Sequence, residues 1–257
     1  MRKLTILKSK LKKFLLTRSE YDDPVEHYVK YVTVPNSILH CGAHLGEEYL
    51  KYKELGINEI YWNEAQPNLV KQLVQLFGED HVFPGVMSNK DNDLIDFYLT
   101  DNSLSSSTKV IDPINDWNIK VVDKVELKSV TLETILRKIL RFENELPKLI
   151  ILDLQGGEFE ALEKSMMAVT NDCDFVIEMA QYQLYMQQKT DIDIVNFFKR
   201  FGYLLVFPKN KKEHYDGLFL SLTSQLKYYR KHLVLKRILS RRKSKLVDLL
   251  YQVKNIF

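Results

Sequence analysis

At 257 residues and 30.3 kDa, the chain has room for one α/β domain with a sizeable core plus extensions, and too little for two full domains. Hydrophobic residues at 45% and charged residues at 28% exclude wholesale disorder and fibrous classes; only two cysteines, Cys41 and Cys173, exclude a disulfide framework and point to a reduced, cytoplasmic setting. The net charge of +3 balances an acidic body, −13 over residues 19–222, against two basic ends, +7 over 1–18 and +9 over 223–257, so a nucleic-acid groove on the body is not expected.

The first eighteen residues mix Leu4, Ile6, Leu7, Leu11, Phe14 and Leu15 with lysines, which breaks up any secretory signal. Residues 37–41 read as the first strand, followed by a glycine turn and a helix over about 46–55. A second strand, 59–64, leads into a helix opened by Pro67, and a third strand is expected over 81–86. Residues 94–100 and 125–130 alternate in strand fashion around a serine-rich loop, and a helix over 132–141 follows.

The run 148–154 is the most buried-looking strand and ends in Gln155-Gly156-Gly157-Glu158 and a helix. Next come a strand over 174–178 and a helix over 192–201, then a closing antiparallel pair over 203–207 and 218–222. Near-continuous apolar strands need helices on both faces, so the expected fold is α/β: a Rossmann-like, mostly parallel, doubly wound sheet flanked by basic terminal helices. The implied organisation is an extension over 1–30, a catalytic domain over 31–222 and a basic amphipathic tail over 223–257. No apolar run reaches the roughly 20 residues needed to cross a bilayer.

In such sheets the ligand lies beyond the carboxyl ends of the strands, where strand order reverses. Gly42 and Gly46 let the chain turn sharply after the first strand, and Glu64 ends the second, about 20 residues later, the spacing at which an acid meets a ribose diol. The spacing lacks the third glycine of a pyrophosphate cradle, which favours an adenosine without pyrophosphate, S-adenosylmethionine being the candidate.

Four stretches, residues 38–46, 61–67, 150–158 and 175–178, resemble the FkbM-type methyltransferases, and the likeness runs over about 36–222. It implies a class I methyltransferase fold, S-adenosylmethionine as cofactor, and a hydroxyl of a sugar, glycan or related natural product as acceptor. Gly42, Ala43, His44, Gly46, Glu64 and Asp153 become the cofactor-binding set, with Ser88 and Asn89 beside the adenine. His40 and His44 stand where the family carries an acid and an amide, which weakens the expected contact to the cofactor's amino group.

Methyl transfer to oxygen needs alignment and an outlet for the hydroxyl proton. Asp153, at the end of a central strand, is the expected base or orienting acid, with Glu178 on the neighbouring strand and Glu158 as further catalytic candidates. Asp153 and Glu178 could also hold a divalent cation, though two carboxylates make an incomplete ligand set, so no metal is assigned. Glu158 fits equally well as a first-turn helix residue. The basic ends suit either an anionic membrane surface, with a lipid-linked acceptor at its cytoplasmic face, or packing on the domain or a second subunit. Two rival readings stay open: an NAD(P)-dependent oxidoreductase on the same fold, and a protein whose cofactor site has decayed through His40 and whose basic ends bind a membrane or partner.

Overall fold

A computed structural model describes residues 23–114, 118–169, 173–208 and 213–231. The strands are β1 Ser37–Cys41, β2 Glu59–Glu64, β3 Val82–Pro84, β4 Val86–Ser88, β5 Leu94–Thr100, β6 Val121–Thr131, β7 Leu149–Leu152, β8 Asp174–Ala180, β9 Leu204–Phe207 and β10 His214–Leu220. Seven of them form one sheet in the order β3-β2-β1-β7-β8-β10-β9, in which only β10 runs antiparallel to its neighbours. The order reverses between β1 and β7, at the first glycine turn.

Every residue of β1 and β7 is buried, as strands covered on both faces must be. On one face Leu39, Ile150 and Phe175 meet Ile135 and Ile139 of the helix Leu132–Phe142 and Phe198 of the helix Asp191–Arg200. On the other face Ile38, Trp62 and Ile151 meet Tyr28 of Pro24–Tyr31, Tyr52 of Tyr49–Glu54 and Leu73 of Pro67–Phe77. Local chemistry agrees with these helices. Pro67 opens one, Thr131 caps another by accepting from the Thr134 N–H, and Thr190 with Asp193 forms a capping box on a third.

Three expectations change. The single third strand is two: at Gly85, with φ of +131° and only a tight 3.1 Å between a Cβ and the Lys128 carbonyl oxygen, the chain leaves the main sheet. Beyond it β4 joins β6 and β5 in a separate three-stranded sheet. β6 begins four residues earlier than its alternation suggested, on an exposed ribbon. The boundaries drawn at 31 and 222 also cut through packed structure. Val25 and Tyr28 belong to the core, and residues 222–231 are helical, with Ser224 and Tyr228 buried.

Asp174, at the start of β8, holds both of these flanking helices. It accepts from the Tyr28 hydroxyl at 2.8 Å, the Ser224 hydroxyl at 2.5 Å and the Ser221 N–H at 2.7 Å. The remaining basic residues expected to be helical, in 1–22 and 232–257, lie outside the described residues.

Candidate active site

The ends of β1, β2 and β7 are drawn together at Gly42. Its N–H and that of Ala43 both donate to the Asn63 carbonyl at 3.0 Å, and the Asp153 N–H donates to the Cys41 carbonyl at 3.0 Å. Gly42 has φ of +83°, and a Cβ there would lie 1.7 Å from the Asp153 carbonyl oxygen, so only glycine fits. Asn63 fixes the next turn through its side-chain amide, which donates to the carbonyls of Phe83 and Gly85.

Glu64 is 5% exposed, and both of its oxygens face backbone donors. Oε2 accepts from the His44 N–H at 2.9 Å, and Oε1 accepts from those of Ala65 at 2.9 Å and Gln66 at 2.8 Å. Burial raises its pKa, and the three donors pull the other way. Oε1 is thereby saturated, while Oε2 keeps one further acceptor site.

That cleft runs from Gly42, His44 and Glu64 past Met87 and Phe97 to Asp153 and Gln155, with Ser103 and Leu104 as its outer wall. It encloses about 80 Å³, roughly the room of three waters. The wall is tied to the turn by His44, whose Nε2 lies 2.9 Å from the Ser103 hydroxyl while Nδ1 lies 2.6 Å from Glu47.

The second half of the site gathers around Gln155, a residue at φ +53° whose carbonyl accepts from the Ser107 hydroxyl at 2.7 Å. Its side-chain nitrogen donates to Asp153 at 2.6 Å and to Glu178 at 2.9 Å, and its oxygen accepts from the Tyr185 hydroxyl at 2.6 Å. The other Glu178 oxygen lies 2.8 Å from Nε2 of His214. Burial first, then mutual repulsion, lifts Asp153 well above the usual carboxylate range; burial together with nearby Glu158 lifts Glu178.

The sequence-derived candidates therefore divide. Gly42, His44, Glu64 and Asp153 line one cleft, with Glu178 bridged to it through Gln155. Glu158 does not face the cleft. It is buried and accepts from the N–H groups of Leu154 at 2.8 Å and Gly156 at 3.2 Å, bracing the turn that presents Asp153. Gly46 turns toward Phe77 and Leu73, and the Ala43 side chain packs in the core beneath the turn.

Val86 and Met87 of β4 still line the cleft, whereas Ser88 and Asn89, one and two residues further on, do not. Asn89 opens instead on a separate polar groove with Asp91, Arg137 and Lys164. His40 points to the opposite face of β1, where its Nδ1 lies 3.0 Å from the Tyr52 hydroxyl, and burial lowers its pKa. Met87, Phe97 and His214 were not singled out from the sequence, their apolar or isolated character giving no signal before the strands were paired; Gln155 stood in the distinctive 150–158 stretch but was given no role.

Among the described residues, no group of three or more His, Cys, Asp or Glu is arranged to hold a metal ion. Between Asp153 and Glu178 stands the Gln155 amide nitrogen, a hydrogen-bond donor and not a ligand.

Comparison with known proteins adds a family. The model of the methyltransferase FkbM domain matches residues 40–205. A search of curated proteins found no match. Among solved structures, a TehB-like SAM-dependent methyltransferase from Corynebacterium glutamicum aligns with a TM-score of 0.43 at 14% identity, over 84% of this chain and 97% of that one. The glycopeptide N-methyltransferase MtfA aligns with a TM-score of 0.38 at 9% identity, over 78% of this chain and 91% of that one.

Proposed function

The chain belongs to the FkbM methyltransferase family, and we propose that it uses S-adenosylmethionine to methylate a hydroxyl of a sugar, glycan or related natural product. The observation that carries this reading is the Glu64 carboxylate. It is held by three backbone N–H groups beside the switch point of the sheet, and Oε2 keeps an acceptor site for a ribose hydroxyl. Met87 and Phe97 offer apolar surface for a base beside it.

When bound, the cofactor supplies a methyl group on a sulfonium, already an excellent leaving group. The chain then has two tasks, to align the acceptor and to take its proton. Asp153 sits where both are done, at the end of β7 on the cleft wall, and Gln155 fixes its orientation. A raised pKa suits a base that must accept a proton from a weak acid.

Admission of a nucleoside requires the Ser103–Leu104 wall to swing outward, breaking the His44 contact. A lipid-linked acceptor fits the same scheme. Leu222, Leu226 and Tyr229 are exposed along one side of the helix over 222–231, among Lys227, Arg230 and Lys231, and suit peripheral contact with an anionic membrane face. Among the described residues no helix is long and apolar enough to cross a membrane.

Calorimetry with S-adenosylhomocysteine tests the cofactor half: binding in the native chain, at least tenfold weaker in Glu64→Ala. Absence of heat in the native chain overturns it. Tritium transfer from S-adenosylmethionine to a panel of methyl pyranosides tests the acceptor half.

A further inference from the structure

We infer that Asp153, Glu178 and His214 form a proton relay, with His214 as the outlet that passes the acceptor's hydroxyl proton from the half-buried carboxylate pair to solvent at the start of β10. This rests on the hydroxyl-acceptor reading above and extends it to the fate of the proton.

Strand pairing builds the row. Leu152 lies opposite Ile177, which brings Asp153 beside Glu178, and Glu178 lies opposite Asp216 on antiparallel β10. His214, two residues from Asp216, projects on the same face by strand alternation. Gln155 bonds to one oxygen of each carboxylate, leaving them free to share a proton, and the outer oxygen of Glu178 meets Nε2 of His214 at 2.8 Å. Exposure rises along the row, from 11% for the Glu178 side chain to 41% for His214.

Apart from the cleft, which cofactor and acceptor would fill, the other side of the centre is closed. The Ser107 hydroxyl holds the Gln155 carbonyl, and Ile111 pairs with Tyr185 over the same spot. A proton left on Asp153 after each turnover has its shortest hydrogen-bonded path through Glu178.

The balance is simple. The acceptor oxygen bonds to the methyl carbon as the carbon–sulfur bond breaks and sulfur keeps its electron pair. The O–H proton passes to Asp153, a proton moves on to Glu178, and His214 delivers one to water. Each turnover thus releases one proton and restores the row. His214 touches neither acceptor nor cofactor, and is a positioning residue that acts through Glu178. The groups facing the carboxylate pair are Glu158 on its helix, Tyr185, Asp216 on β10, Glu48 and Tyr52 beside the glycine turn, and Lys51 at the rim.

The test has two readouts on the full chain. Difference infrared spectroscopy follows the C=O stretch of the protonated carboxyl pair as pH rises, with no cofactor present. His214→Gln is expected to move its midpoint by about one pH unit or more. The control His81→Gln, whose ring pairs with Glu59 at the far end of β2, leaves it in place.

With methyl pyranosides as acceptors, His214→Ala is expected to lose about tenfold or more in kcat at unchanged KM, regained on adding imidazole. An infrared midpoint identical in His214→Gln and the native chain overturns the relay, as does native kcat in His214→Ala. If the chain binds S-adenosylhomocysteine yet methylates no pyranoside, the acceptor reading fails instead. The infrared result then decides the relay alone.

Discussion

Replacing Gly42 by alanine is expected to cost both stability and cofactor affinity, and the size of the loss follows from the geometry. The new methyl group would stand 1.7 Å from the Asp153 carbonyl oxygen, so the ends of β1 and β7 must part by about 1.3 Å to restore even a tight 3.0 Å contact. That movement stretches the Asp153–Cys41 backbone hydrogen bond, 3.0 Å long, beyond useful range. One lost bond at about 1 kcal/mol, plus about 1–2 kcal/mol for a left-handed alanine, gives about 2–3 kcal/mol.

For a chain of this size that lowers Tm by about 4–12 °C. Gly46→Ala is the comparison. Its φ is +72°, but its methyl group would meet the movable edge of the Phe77 ring at 2.9 Å, so its loss should stay near the left-handed penalty alone, about 1–2 kcal/mol. Differential scanning calorimetry with and without S-adenosylhomocysteine reads both effects. Equal Tm losses in the two variants, or native ligand affinity in Gly42→Ala, would refute the claim that this turn is fixed by backbone contact with Asp153.

Asp153→Asn should keep S-adenosylhomocysteine affinity within a few-fold and lose at least a hundredfold in methyl transfer; intact turnover would remove Asp153 from the chemistry. Glu158→Ala should destabilise by about 2–4 kcal/mol in urea titration, because two backbone N–H groups lose their acceptor. Ser103→Ala should speed association of S-adenosylhomocysteine in stopped-flow mixing, since the Ser103–His44 contact no longer closes the wall. Stability should also fall from about pH 5 to about pH 9. Burial raises Asp153 and Glu158, and lifts Glu178 to about 8, so the protonated forms favour the folded chain. Their contribution is complete at low pH and is lost as pH climbs through the folded values. A Tm that rises steadily over this range would contradict the assignment.

The sheet was legible where burial is two-sided. β1, β2, β7 and β8 announce themselves as apolar runs, and the acids that close β2 and follow β7 stand out against them. The β3–β4 break was not, because a glycine inside an apolar run looks the same whether the strand continues or turns out of its sheet. The early part of β6 escaped notice because an exposed ribbon has no apolar face to alternate. Glu64 and Gly42 could be found from spacing along the chain. His214 could not, since only the antiparallel return of β10 brings it to Glu178, and sequence distance carries no trace of that pairing. Glu158 illustrates a different limit: a carboxylate beside two glycines has the same signature whether it serves an acceptor or the turn's own amides.

The grip of Asp174 on Tyr28, Ser221 and Ser224 has a practical side. A fragment lacking either helix would leave a buried carboxylate short of one of its three donors, so neither flank can be trimmed as a mere handle. Tags, fusions and shortened versions belong outside residues 23–228, and a protease nick in the helix over 222–231 should loosen the root of β8 before anything happens at the cleft.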